Sequence, residues 1–243
     1  MKVITGWSPS GWLQYGQRFL SSFERFWPEE VDLRVYVEEE FFHIQTSKRL
    51  VEQVKLDAIP GCTEFINKYR GNKRANGEEV QPNWKESCKI NGYNFRFDAW
   101  KFCRQGFIPY HAAQEIRSGI LCWLDGDVVT NRPVPKGWIE SLIPEHAAVA
   151  YLGREPKHSE IGVQIYRIPE AMPVLRDFSE FYRTESVFGL KEWHSAYVFD
   201  QARCMNDVVT HNLTPNGFGN VWMQSPMAQY TDHLKGKRKG SAR

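Results

Sequence analysis

GILCWLDGDVVT, residues 119–130, is the stretch on which the reading of this chain turns. Gly119 to Leu124 is continuously apolar, the pattern of a strand covered on both faces. It stops abruptly at Asp125-Gly126-Asp127. Residues two apart in extended chain project to the same side, so both carboxylates meet one point beyond the strand's C-terminal end. Open α/β sheets place their ligands at that edge. Two hard oxygen donors there suit Mg²⁺ or Mn²⁺, and either ion can clamp a diphosphate. Gly126 permits close approach of backbone or ligand. The competing reading is a hairpin turn, for which Asp-Gly is a common dipeptide. Thr130-Asn131-Arg132-Pro133 is a poor partner strand, which favours the metal reading.

The segments around this strand build an α/β pattern. Lys2 to Thr5 reads as a short strand, and Gly6 to Gly11 as a Gly/Ser/Pro loop. Trp12, Phe19, Leu20, Phe23 and Phe26 recur at helical spacing up to Pro28. Val31 to Val37 alternates and is β-branched, so it reads as a second strand. Strand, helix, strand opens a domain with a parallel sheet. Ser47 is placed to cap a helix carrying Leu50, Val51 and Val54. Phe95 to Ile116 reads as helix interrupted near Pro109, and Ala147 to Leu152 and Ile161 to Ile168 as strands. Met172 to Arg183 and Ser195 to Val208 read as helices. The expectation is one α/β domain over residues 1–243, with a mainly parallel central sheet flanked by helices. A polar excursion at 71–92 and a basic tail at 231–243 complete it.

Composition is that of an ordinary globular protein. The 243 residues carry a formal net charge of only +2, which does not mark a nucleic-acid binder. The charge is uneven, with a basic tail from Lys235 and a basic, polar stretch from Lys68 to Lys89. No apolar run is long enough to span a bilayer, and Met1 to Thr5 has no signal-peptide character. The five cysteines form no Cys-x-x-Cys pair, so reduced thiols are expected rather than a zinc site. These features point to a cytoplasmic protein without a membrane anchor, bacterial or from a virus-infected cell.

The chain ends Thr231-Asp232-His233-Leu234-Lys235-Gly236-Lys237-Arg238-Lys239 before its last four residues. His233 offers an imidazole acceptable to Mn²⁺. Gly236 allows a tight backbone approach, and Lys239 can neutralise a phosphate. A solvated basic tail is the plain alternative. The acidic pair upstream tips the balance towards ligation.

With these residues in hand, the chain resembles the GT-A glycosyltransferases, particularly the glycogenin-like family 8. Their pattern is an Asp-x-Asp after a mid-chain apolar strand and a late His-x-x-Gly-x-x-Lys, here Asp125/Asp127 and His233/Gly236/Lys239. The resemblance implies a retaining, metal-dependent transferase with a nucleotide-sugar donor, usually a UDP-sugar. It places the nucleotide near Thr5, Gly6 and Trp7, and assigns Asp125, Asp127 and His233 to Mn²⁺ or Mg²⁺. Arg96, Lys101 and Arg104, on the helix before the central strand, become candidate donor contacts. Ser159-Glu160-Ile161-Gly162-Val163 resembles the strand lining donor sugar and acceptor, and Asp200-Gln201 the Asp-Gln that opens a helix near the reaction centre. Glu160, Asp200 and His194 are the candidate catalytic residues. Trp193 is a candidate for stacking or for core packing. Asn206 lies one residue beyond its usual spacing from Asp200, and Gly240 replaces a common proline after the final Lys.

The acceptor stays open between a saccharide or lipopolysaccharide precursor and a hydroxymethylated base in DNA, as in sugar-adding enzymes of some bacteriophages. The DNA option uses the basic stretches and a set of aromatics expected in exposed loops: Trp7, Trp12, Trp84, Trp193 and Trp222. A second enzymatic reading also remains, since Asp-Gly-Asp-Val-Val-Thr resembles the nucleophile motif of haloacid-dehalogenase-type phosphatases. Those place the motif on an early strand and use a downstream pair of adjacent acids, which this chain lacks. A basic nucleic-acid-binding module is the non-enzymatic reading.

Overall fold

The computed structural model describes residues 1–38, 51–79 and 92–235. The strands are β1 (Lys2–Trp7), β2 (Asp32–Val37), β3 (Val51–Lys55), β4 (Gly119–Leu124), β5 (Val128–Thr130), β6 (Val149–Leu152), β7 (Glu160–Ile168), β8 (Thr210–Asn212) and β9 (Thr231–His233). The helices are α1 (Pro9–Gly11), α2 (Gln17–Phe26), α3 (Cys62–Tyr69), α4 (Ala99–Gln114), α5 (Trp138–Ser141), α6 (Met172–Arg183) and α7 (Ser195–Met205). They fall into two compact units: Met1–Ala58, Ile116–Ala171 and Val208–Arg243 form the first, and Ile59–Glu115 with Met172–Asp207 the second.

The first unit carries a seven-stranded sheet in the order β3-β2-β1-β4-β7-β6-β8. Strands β3, β2, β1 and β4 run parallel, β7 is antiparallel to both β4 and β6, and β8 is parallel to β6. The fold is therefore α/β with a mixed, mainly parallel sheet. The β4 run is buried from Ile120 to Leu124, as its unbroken apolar sequence requires. Its alternate residues Ile120, Cys122 and Leu124 join one core with Phe19, Leu20 and Phe23 of α2 and with Val3, Val163 and Ile165. A ladder of rings, Phe19–Phe23–Trp27, runs along that helix at centroid spacings of 5.9 and 4.8 Å.

Several local expectations need correction. Strand β1 runs on through Gly6 and Trp7, where a loop was expected, and Ser8 caps the next helix by accepting from Gly11 N–H at 3.2 Å. Val51 and Val54 belong to strand β3, not to a helix; Ser47 and Leu50 lie outside the described residues. The valine spacing imitates a helical face. Cross-strand pairing overrides it, because Glu52 lies opposite Arg34 and accepts from its Nε at 2.8 Å and Nη2 at 2.6 Å. Lys2 adds a third contact at 3.1 Å. Arg34 is only 3 % exposed, so this fork is what makes its burial tolerable. Hydrogen bonds from Arg34 hold the Glu52 carboxyl below its ordinary range, against some burial and with help from Lys2. The resulting stability is present above the unfolded value near 4.3 and lost as pH falls below it. We expect Glu52→Ala to cost about 1–2 kcal/mol in urea denaturation at pH 7. That difference should shrink towards pH 3, where the wild type loses the same pair.

The second unit is helical. Helix α4 packs on α3, α6 and α7, and α6 also packs on α7. Gly106 allows the closest approach: a Cβ there would lie 2.7 Å from the Tyr182 ring. Helix α4 runs unbroken through Pro109, where an interruption was expected. Phe107, Ile108, Ala112 and Ala113 are all buried, and that packing outweighs the hydrogen bond the proline removes. Helix α7 ends at Met205, short of Val208. Asn206 ends it, with its Nδ2 donating to Ala202 O at 2.8 Å and Asp177 Oδ2 at 2.9 Å. No helix among the described residues is long and apolar enough to cross a membrane.

Candidate metal centre

Asp125 and Asp127 follow β4, but they do not share a side through extended chain. Residues 125–128 form a tight turn closed by Val128 N–H donating to Asp125 O at 3.0 Å. The turn is not a β4–β5 hairpin either. Strand β5 pairs antiparallel with β9, with Val128 opposite His233 and Thr130 opposite Thr231. The C-terminal segment, read as a basic tail, thus supplies the partner strand that the turn's own flank lacks. Leu234 N–H then donates to Asp127 O at 3.1 Å.

That pairing brings His233 to the acidic pair. Its Nε2 lies 3.0 Å from Asp127 Oδ1 and 3.6 Å from Asp125 Oδ2. One potential ligand atom from each of the three residues falls within 4.8 Å of the others, the arrangement of a small cation site. Asp127 and His233 are buried at 4 % and 5 % exposure, while Asp125 keeps 31 % of its side chain open. Two carboxylates and an imidazole, one of them facing outward, fit a divalent cation that retains positions for another ligand.

The surrounding residues hold this cluster in place. Trp123 Nε1–H donates to Asp125 Oδ1 at 2.8 Å and fixes one oxygen. Trp7 Nε1–H donates to Gly126 O at 3.1 Å and clips the turn to the end of β1. The backbone of β7 contributes through Gly162, whose carbonyl accepts from Asp125 N–H at 2.8 Å. Gly162 also makes room for the imidazole, since a Cβ there would lie 2.5 Å from His233 Cε1. The Trp222 ring stands 5.0 Å from the His233 ring, and its indole N–H donates to Thr231 O at 3.2 Å.

Charge crowding sets the electrostatics. Burial and the neighbouring Asp127 carboxylate push Asp125 up to about 6, against the pull of His233 and the Trp123 hydrogen bond. Burial opposes charging of His233, but Asp127, Asp125 and Glu160 together outweigh it and raise the imidazole. Since Asp125 titrates above its unfolded value near 3.9, ionising it costs stability. The contribution is intact below about pH 4 and lost as pH rises through about 6. We expect Asp125→Asn, which keeps the Trp123 hydrogen-bond acceptor, to raise the melting temperature of the metal-free protein at pH 7.5 by about 5 °C. This corresponds to about 2 kcal/mol, and the gain fades towards pH 4 in a thermal scan.

Thr5 is fully buried and Trp7 is 3 % exposed, packed edge-on to Trp12 and Phe19. Glu160 opens β7 with 8 % exposure and pairs with His233, Arg154 and Lys235. Asp200, His194, Arg96, Lys101 and Arg104 all belong to the helical unit. There His194 Nε2 is 2.8 Å from Glu192 Oε2, Arg96 lies 3.6 Å from the same carboxylate, and Asp200 pairs with Arg203 at 3.3 Å. Gly236 and Lys239 lie outside the described residues, as does Trp84. Of the aromatics expected in exposed loops, Trp12 is half-buried and three others are corrected. Trp7, Trp193 and Trp222 are at most 3 % exposed, because each ring fills core and each indole N–H finds a backbone carbonyl.

Tyr15 was missed by the sequence reading. A π-helical turn, Trp12–Gly16, carries it between α1 and α2, and such turns recur at functional sites. Its hydroxyl sits where a Cβ on Gly11 would intrude to 2.6 Å. Burial, then the charges of Asp127, Asp125 and Glu38, push it up to about 12, so it stays a hydroxyl facing the acidic pair.

No protein-family model matches the sequence, and no curated protein matches it significantly. Solved structures do match. Mouse xyloside xylosyltransferase 1 in its apo form superposes with a TM-score of 0.53 at 11 % identity, covering 100 % of both chains. The glycosyltransferase GlyE of Streptococcus pneumoniae TIGR4 gives 0.48 at 10 % identity over 87 % of this chain and 45 % of its own. The bifunctional glycosyltransferase WbbM, also apo, gives 0.49 at 8 % identity over 88 % and 38 %. At 11 % identity the likeness to the first of these speaks for architecture alone, and the architecture is a GT-A-like fold.

Proposed function

We propose that this chain is a metal-dependent glycosyltransferase that moves a sugar from a nucleoside-diphosphate sugar, a UDP-sugar in the first instance, to a hydroxyl acceptor. The observation that carries the reading is the convergence of Asp125, Asp127 and His233 at the end of the central strand. Mn²⁺ or Mg²⁺ is the cation that this donor set suits. When bound there, it neutralises the diphosphate and makes it a better leaving group.

The chain's own residues do the rest. Asp125 presents the oxygen that Trp123 does not hold, and His233 presents Nε2. Thr5, Gly6 and Trp7, at the end of β1, are the residues expected to meet the nucleotide. Lys239 and Gly236 are the expected phosphate contacts from the C-terminal segment, and Arg96 and Lys101 those from the helical unit. Asp200 and His194 are candidates to orient the acceptor and to shield a cationic sugar carbon. In the transfer, the bond from the anomeric carbon to the diphosphate oxygen breaks and the bond to the acceptor oxygen forms. The acceptor's proton leaves to the departing phosphate or to solvent. Retention of configuration follows the family resemblance.

The test is a panel of nucleotide sugars with Mn²⁺, reading UDP release and product. One donor is expected to turn over, and EDTA is expected to stop it. Absence of turnover with every donor, together with hydrolysis of a phosphomonoester, would favour the phosphatase reading instead. Burial of Trp7, Trp193 and Trp222 removes part of the argument for DNA, which now rests mainly on the basic stretches. Parallel assays with saccharide and with hydroxymethylated DNA settle the acceptor. A steep loss of acceptor binding with salt identifies DNA, and indifference to salt identifies a saccharide.

A further inference from the structure

We propose that Glu160 is the positioning residue of the metal centre, acting through His233 rather than on the substrate. The inference rests on the metal-site reading above. The two ring nitrogens of His233 face different groups. Nε2 meets Asp127 at 3.0 Å and Asp125 at 3.6 Å, whereas Nδ1 lies 3.5 Å from Glu160 Oε1. At 3.5 Å the Glu160 carboxylate meets Nδ1 as an ion-pair contact longer than a hydrogen bond, and it is the group that would receive the Nδ1 proton once a cation takes Nε2. It also raises the basicity of the ligand nitrogen.

The local packing leaves the ring little other choice. Glu160 and Gly162 lie two apart on β7 and so share a face, one supplying the carboxylate and the other the space for the imidazole. Trp222 closes another side at 5.0 Å. The carboxylate is itself held, because its second oxygen, Oε2, faces Arg154 Nη1 at 3.3 Å and pairs with Lys235 Nζ. These two cations fix the carboxylate in place at the start of β7. Oε1 remains turned to the histidine. A carboxylate engaged in this way is poorly free to serve an incoming acceptor, and well built to fix a ring.

The experiment compares Mn²⁺ binding to the full chain by calorimetry and by the electron spin-echo signal of the bound ion. Glu160→Gln keeps the shape of the side chain and removes its charge. It is expected to weaken Mn²⁺ by 10- to 100-fold, the usual loss for such a partner, and to diminish the imidazole nitrogen coupling in the spin-echo spectrum. Arg154→Met removes one partner of Glu160 while Lys235 still holds Oε2, and should leave Mn²⁺ affinity within about twofold. Asp127→Asn should bind no Mn²⁺. Wild-type affinity and nitrogen coupling in Glu160→Gln, with binding lost in Asp127→Asn, would overturn the proposal and leave the metal site standing. An equal loss of affinity in Arg154→Met would overturn it in favour of a general structural role. Failure of the wild type to bind Mn²⁺ would remove both the proposal and the reading beneath it.

Discussion

Replacing Asp127 by asparagine is expected to abolish Mn²⁺-dependent UDP release, a loss on the order of a thousandfold or more, while the protein stays folded. Asp127 is buried and stands 3.0 Å from His233 Nε2, so its carboxylate is the inner wall of the proposed centre. Asparagine matches its volume and retains an oxygen, but it gives up the charge that attracts a divalent cation. The backbone contact that joins this turn to the C-terminal segment, from Leu234 N–H to Asp127 O, is indifferent to the substitution. Thermal unfolding of the metal-free variant is the control. It should stay folded and melt somewhat below the wild type, because the buried pair with His233 is lost even as the crowding of the two carboxylates is relieved. A variant that turned over donor at the wild-type rate would remove Asp127 from the site.

The second large effect is expected at Gly126. A Cβ there would lie 2.1 Å from Trp7 Nε1, 2.4 Å from Cδ1 of the same ring and 3.1 Å from Gly6 O. The indole cannot yield cheaply, since it is 3 % exposed and wedged between Trp12 and Phe19. Gly126→Ala should therefore cost about 3 kcal/mol, the upper end of the usual range for overpacking. A loss of about 8 °C in melting temperature follows for a domain of this size. The same shift displaces the turn that carries both carboxylates, so Mn²⁺ affinity should fall with stability. A Gly126→Ala protein with unchanged melting temperature and Mn²⁺ affinity would mean that Trp7 does not clip the turn.

What the sequence disclosed follows from how local each signal was. The β4 run and its terminal Asp-Gly-Asp were legible because burial on both faces leaves an uninterrupted apolar stretch. Helix α6 was legible from its periodicity. The pairing of Val128 with His233 was not, because it joins segments far apart in the chain and β9 is only three residues long. His233 was therefore found through its chemistry and its likeness to a family pattern, while the strand that delivers it was missed. Strand β3 was misread because Val51 and Val54 carry helical spacing, and only the opposing Arg34 reveals that Glu52 belongs to a ladder. The tryptophans were misjudged for a related reason. Loop-like flanks suggest exposure, whereas a backbone carbonyl near each indole N–H permits burial. Glu160 was singled out in the sequence, but its engagement with His233, Arg154 and Lys235 required the fold.

The most direct measurement is calorimetric titration of UDP into the wild-type protein with and without Mn²⁺. Binding is expected in the presence of Mn²⁺, with loss on EDTA and absence in Asp127→Asn. UDP binding of equal strength with and without the metal would contradict the role given to Asp125, Asp127 and His233, and no binding in either condition would contradict the nucleotide-sugar reading itself.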